Sequence, residues 1–262
     1  MSSLYEQIKA DLGYLKLDAA AASFAGLADQ ARTEDWTHID FLARLVAIGA
    51  TADRDRRLAA RMRYARFPFH RRVADFDFDF QPSIDPKLVA DLATLRFIDE
   101  QRPVLFLGQP GCGKTHLAVA LAIAAAQAGY RGYFTTGDAM AKTLARADHD
   151  GTAATKIKAY TAPTVPVIDD VGLIRLKTPA EAAWFFEVVN TRYQQGHPTL
   201  VTTNRGLPDW GEIFGDTVIA AAILDRLTHN AIVFNIKGPS WRLREHDSLQ
   251  IATTQPTQRS TR

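Results

Sequence analysis

Eight consecutive residues, Gly108-Gln109-Pro110-Gly111-Cys112-Gly113-Lys114-Thr115, satisfy the pattern G-x-x-x-x-G-K-[ST] at every fixed position. That spacing suits a triphosphate. Glycines let several backbone N–H groups converge on phosphate oxygens without a side-chain clash, and the N-terminus of a following helix adds partial positive charge. Lys114 then reaches the β- and γ-phosphates, and Thr115 places its hydroxyl on Mg²⁺. Such a loop must stand between a strand and a helix. Pro103-Val104-Leu105-Phe106-Leu107 is an apolar run of strand length, and residues 117–128 are rich in Ala and Leu, as a buried helix is. The expectation is an ATP site built by Gly108, Pro110, Gly111, Cys112, Gly113, Lys114, Thr115 and His116, with Mg²⁺ as the second cofactor.

A second apolar run, Val165-Pro166-Val167-Ile168, ends in Asp169-Asp170. Carboxylates at the C-terminal end of a parallel strand face the crevice where ligands of open α/β sheets bind. Asp169 is therefore expected to hold Mg²⁺, directly or through water, and Asp170 to orient and polarise the attacking water. Taken alone the pair also reads as an acidic cap on a buried strand, and beside a complete phosphate loop that reading recedes. Asp170 is one methylene shorter than the Glu common at such positions, which makes its role as base less secure than the role of Asp169.

Three further polar residues follow in the pattern expected of an AAA+ ATPase. Asn204 closes the run Thr199-Leu200-Val201-Thr202-Thr203, a strand expected between those of the loop and the acids, so its amide can face the γ-phosphate and the water. Arg226, late in a helix, is placed to reach a neighbouring subunit's nucleotide; the alternative is an arginine lying along an Ala-rich helix. Arg242 is a second candidate for sensing nucleotide, with a structural role as the competing reading. Cys112, the single cysteine, sits inside the loop at a helix N-terminus, and a steric role is the expectation.

The elements that must position these groups can be outlined. With 262 residues, 47% hydrophobic and 23% charged, the chain reads as an ordinary soluble globular protein. Its longest apolar tract, near residues 117–128, is too short for a membrane span. Acids and a lysine among the first apolar residues do not make a signal peptide. A reducing, cytoplasmic setting is the expectation. Residues 1–70 read as a small all-helical domain, residues 71–86 as a joint rich in aromatics, residues 87–250 as an α/β domain with a central, mainly parallel sheet, and residues 251–262 as a disordered tail rich in Thr and Gln. The joint's aromatics suit either packing near the nucleotide base or a purely structural clamp.

Net charge is only +2, so any case for nucleic acid must be local. Arg54, Arg56, Arg57, Arg61, Arg63, Arg66, Arg71 and Arg72 fall within residues 54–72, where Asp55 is the one acid in the stretch up to Arg72. On a helix that buries Leu58, Met62 and Ala65, Arg56 and Arg63 lie opposite and Arg57 and Arg61 flank. Arg54, Arg57, Arg61 and Arg63 are the candidate DNA contacts, and an ordinary solvated face is the alternative.

Several stretches together resemble the IstB-like ATPases, helper proteins of insertion-sequence transposition related to DnaC-type helicase loaders. They are Ala65-Arg66-Phe67-Pro68, Asp75-Phe76-Asp77-Phe78, the phosphate loop, Asp169-Asp170-Val171-Gly172, Trp210-Gly211-Glu212-Ile213-Phe214-Gly215-Asp216, Ala221-Ala222-Ile223-Leu224-Asp225-Arg226-Leu227, and Ile236-Lys237-Gly238-Pro239-Ser240-Trp241-Arg242-Leu243. The Trp210 run is the most specific, because helicase loaders lack it. The resemblance implies an AAA+ P-loop NTPase core that forms an ATP-dependent homo-oligomer on duplex DNA and assists an IstA-type transposase without cutting DNA itself. A helicase loader, or a nucleotide-dependent switch with little hydrolysis, stands as the rival expectation.

Overall fold

The computed structural model describes residues 2–244, so the tail expected at 251–262 lies outside the described residues. The chain divides into two compact units, Met1–Arg63 and Tyr64–Arg262. Three helices make the first: α1 (Ser2–Tyr14), α2 (Asp18–Thr33) and α3 (His38–Ala65). Thr37 and Asp40 open α3 with a reciprocal capping box, each side chain accepting from the other residue's backbone N–H. Helix α3 is continuous over 28 residues. No Gly-Pro breaker interrupts it, and Gly49 gives the Leu17 side chain room to approach. The unit's core is small. Ala20, Phe24 and Leu45 are buried, with Ile8, Leu12, Leu17, Leu27 and Phe41 packed around them.

In the second unit, α4 (Pro86–Ala93) and α5 (Arg96–Asp99) precede β1 (Val104–Gly108) and α6 (Lys114–Gln127). Pro86 is no turn former here. Asp85 caps α4 and Pro86 sits at its first position, where a missing N–H costs nothing. Next come β2 (Gly132–Thr136), α7 (Gly137–His149), the short α8 (Ala153–Lys156) and α9 (Lys158–Thr161), and β3 (Val165–Val171). The remainder is α10 (Pro179–Gln194), β4 (Leu200–Thr203), α11 (Trp210–Phe214), α12 (Thr217–Thr228), β5 (Ile232–Ile236) and α13 (Trp241–Arg244).

All five strands pair in parallel, in the order β2-β3-β4-β1-β5. This is the α/β architecture expected from the alternation of apolar runs and helices. Continuous apolar β1, with Val104, Leu105 and Phe106 buried, suits a strand covered on both faces. Helix α6 is apolar nearly all round and buries Leu117 through Ile123, which makes it the element behind the loop. On the sheet's other flank, Trp210, Phe214 and Phe185 pack together, Trp210 being completely buried, so the Trp210 run builds core. Residues 71–86, expected as a joint, fall within the second unit: Val73–Asp75 forms a 3-10 turn, and Phe76 and Ile84 are buried. The aromatics are too apolar to be left in water, which is why this stretch packs down.

Candidate functional site

The C-terminal ends of β1, β3 and β4 open into a cleft of about 460 Å³. Pro110, Gly111, Cys112, Gly113, Lys114, Thr115 and His116 line one wall of it. Asp169, Asp170 and Asn204 line it too, as do Trp241 and Arg242. Gly108 terminates β1 beneath the loop, where a Cβ would run into the carbonyl oxygen of Ile236. Two other glycines are required by both angle and contact. Gly111 has φ +82° and lies against Ser240, and Gly113 has φ +94° and lies under the ring of Phe76.

Lys114 is almost wholly buried, and its Nζ donates to the carbonyl oxygen of Gln109 at 2.9 Å, so the loop curls around its own ammonium group. Phosphate oxygens are the charged acceptors that would take over that contact. Across the cleft Thr115 Oγ1 donates to Asp169 Oδ1 at 2.8 Å. Asp169 is 4% exposed. Burial holds its carboxyl above the usual carboxylate range, the neighbouring Asp170 charge adds to that, and hydrogen bonds from Thr202 and Thr115 together with the Lys114 charge oppose it. Such a buried, partly compensated carboxylate favours a cation beside it.

Among the described residues no three His, Cys, Asp or Glu side chains cluster as a metal cage. Mg²⁺ bound with a nucleotide needs only one or two protein oxygens besides phosphate and water. Thr115 Oγ1 and Asp169 supply that pair, so the residues fit the ion. Asn204 adds a polar atom in need of a partner: its Oδ1 is buried and accepts no hydrogen bond. Asp170 is a left-handed residue, φ +51°, at a bulge where the β3-β4 register shifts. Strained backbone at a cleft mouth is a frequent mark of a working residue.

The far end of the cleft is aromatic. Phe69, Phe76, Phe80 and Trp241 line it, with Phe80 and Trp241 edge to face at 4.9 Å. His116 lies within 5.3 Å of Phe76 and 6.1 Å of Phe69, centroid to centroid. Its Nε2 is 3.1 Å from the carbonyl of Arg72, which can only accept, so that nitrogen carries the hydrogen. Burial pushes the His116 pKa below its usual value. Aromatic side chains beside a phosphate loop suit a purine base.

The structure gathers eleven of the sequence-predicted side chains and loop residues in this cleft, and leaves others out of its lining. Arg226 Nε donates to Asn190 Oδ1 at 2.7 Å, its Nη1 to the Ala222 carbonyl at 2.9 Å, and its guanidinium lies 4.9 Å from the Phe186 ring centroid. Arg54, Arg57, Arg61 and Arg63 are carried by α3, where Asp53 pairs with both Arg56 and Arg57, an acid just ahead of the run that lowers its effective charge. Cys112 is 1% exposed and turned inward, which accords with the steric reading. Missed from sequence were Trp241, Gln81 and Thr202; the last belongs to a run with three threonines, Thr199, Thr202 and Thr203, all of them buried.

A parallel sheet of this order, with a phosphate loop after β1 and acids near the C-terminal end of β3, defines an ATP-binding P-loop protein of AAA+ type. The chain belongs to the family of IstB-like ATP binding proteins, whose model matches residues 10–248. It is 38% identical over 231 residues to the insertion sequence IS5376 putative ATP-binding protein of Geobacillus stearothermophilus, covering 88% of this chain and 91% of the relative. To the insertion sequence IS21 putative ATP-binding protein of Pseudomonas aeruginosa it is 36% identical over 246 residues, covering 94% and 92%. Among solved structures, AMPPCP-bound DnaA from Aquifex aeolicus superposes with a TM-score of 0.55 at 18% identity, covering 69% of this chain and 56% of that one. DnaI superposes with a TM-score of 0.50 at 22% identity, covering 64% and 89%. These two likenesses are of fold.

Proposed function

We propose that the chain hydrolyses ATP with Mg²⁺, assembles with copies of itself on duplex DNA in the cytoplasm, and assists an insertion-sequence transposase in choosing and entering its target. The single observation that supports hydrolysis best is the contact across the cleft, Thr115 Oγ1 to Asp169 Oδ1 at 2.8 Å, with Asp170 and Asn204 beside it. In this reading the loop amides and Lys114 bind the triphosphate, Thr115 and Asp169 hold Mg²⁺, and Asn204 and Asp170 orient the water. Bound Mg²⁺ would supply charge neutralisation on the transferring phosphoryl group. Asp170 accepts the water's proton as the nucleophile forms. His116, Phe76, Phe80 and Trp241 exclude water from the base end.

The transposition part rests on relatives named for insertion sequences, whereas the likeness to replication proteins is of fold alone. Arg226 would act on a neighbour's nucleotide, and Arg54, Arg57, Arg61 and Arg63 would bind DNA phosphates, giving weak sequence preference and steep salt dependence. Among the described residues no helix is long and apolar enough to cross a membrane. Steady-state ATP turnover with and without duplex DNA, then with an IstA-type transposase, tests the proposal. DNA-stimulated turnover is expected; intact ATP binding without turnover under any of these conditions would point to a nucleotide-dependent switch instead.

A further inference from the structure

We infer that Thr202 is a positioning residue for both acids of the site, one buried hydroxyl setting the metal-binding carboxylate and the backbone of the base at once. Thr202 is fully buried on β4. Its Oγ1 donates to Asp169 Oδ1 at 2.5 Å and accepts from the backbone N–H of Asp170 at 2.9 Å. The reason lies in the strand pairing. Ile168 pairs with Val201 and Val171 with Thr203, so that Asp169 and Asp170 together face Thr202 alone. This is a bulge, and a bulge leaves ladder groups without backbone partners.

Thr202 fills that gap for the Asp170 N–H, and Thr203 Oγ1 does the same for the Val171 carbonyl at 2.6 Å. The left-handed turn at Asp170 is thereby pinned on both sides, and its side chain leaves the strand at the cleft. Asp169 Oδ1 already takes the hydroxyl of Thr115, so with Thr202 both in-plane acceptor directions of that oxygen are used, and the carboxylate plane is fixed with Oδ2 left over. A hydroxyl is needed for this. Valine has the same shape and neither donates nor accepts.

The inference rests on the proposed hydrolysis, so the test carries a readout that does not depend on turnover. Thr202→Val and Thr202→Ser are compared with the wild type for affinity of a fluorescent ATP analogue in EDTA, for Mn²⁺ affinity in the presence of a non-hydrolysable ATP analogue by electron paramagnetic resonance, and for kcat and KM. Expected for Thr202→Val are unchanged metal-free nucleotide affinity, Mn²⁺ affinity weaker by about tenfold or more, and kcat lower by about ten- to a hundredfold, the range for groups that orient metal ligands. Thr202→Ser is expected to stay within about twofold of wild type throughout. Thr202→Ala carries the valine expectation should that variant not fold. Wild-type Mn²⁺ affinity in both hydroxyl-free variants, or a serine variant as impaired as valine, overturns the role of Thr202. A wild type that binds Mn²⁺ and nucleotide without turnover removes hydrolysis instead, while the Mn²⁺ comparison still decides about Thr202.

Discussion

Lys114 and Asp170 show how differently two residues of one site depend on sequence and on fold. Phosphate recognition needs consecutive backbone amides and a lysine at fixed spacing, so residues 108–115 disclose it without any tertiary information. Removing the charged donor in Lys114→Ala forfeits about 1.5–3 kcal/mol of charged hydrogen bonding, which is about ten- to a hundredfold in affinity. Titration with a fluorescent ATP analogue should show that loss. Asp170 was legible only as a type, an acid beside an acid. Its left-handed backbone and its tie to Thr202 arise from a strand pairing that no local pattern announces. Asn tolerates that backbone, and Asp170→Asn should bind ATP normally while turnover falls by about a hundredfold or more, the usual scale for a lost general base. A single-turnover chase would show ATP retained unhydrolysed.

Helix ends follow local rules. Thr37, Thr178 and Asp216 each sit where the side chain accepts from the first turn of the helix it opens. What the sequence hid at this scale was a fastener. Arg192 on α10 is 1% exposed and donates to six oxygens, those of Tyr160, Thr161, Pro163, Thr164, Pro198 and the Thr199 hydroxyl. It ties the loops entering β3 and β4. Burial pushes its pKa down to about 9, while those six oxygens favour the charged form. Arg192→Met orphans several buried carbonyls and should cost about 3 kcal/mol or more. For a unit of this size that lowers Tm by roughly 6–12 °C, read by calorimetry. On α12, Arg226→Ala should leave ATP binding intact and abolish hydrolysis in the assembled form; normal hydrolysis there would confine Arg226 to its contacts with Asn190 and Phe186. On α3, replacing Arg57, Arg61 and Arg63 with Ala should reduce the slope of log affinity for duplex DNA against log salt by up to about 3. An unchanged slope moves the DNA contact elsewhere.

At the scale of the whole molecule, the alternation of apolar runs with helices sufficed for a parallel α/β core, because both faces of such a sheet are covered and its strands read as unbroken hydrophobic stretches. Strand order is another matter. That β4 lies between β3 and β1 brings Asn204 and Thr202 beside Asp169, and it was foreseen for Asn204 from the class of ATPase while the Thr202 bridge was not. The stretch from 71 to 86 was read as a joint rich in aromatics, and Phe76 and Phe80 from it line the cleft. The proposal comes down to one arrangement, in which the loop would hold a triphosphate and Thr115 and Asp169 would hold the metal. A crystal structure of the protein with Mg²⁺ and a slowly hydrolysed ATP analogue tests it most directly. Phosphates along residues 108–115, Lys114 turned from Gln109 onto them, the metal bridging Thr115 and Asp169, and the base against the Phe76 and Trp241 end are the predicted result. A loop without nucleotide at millimolar analogue, or acids turned away from the phosphates, would contradict it.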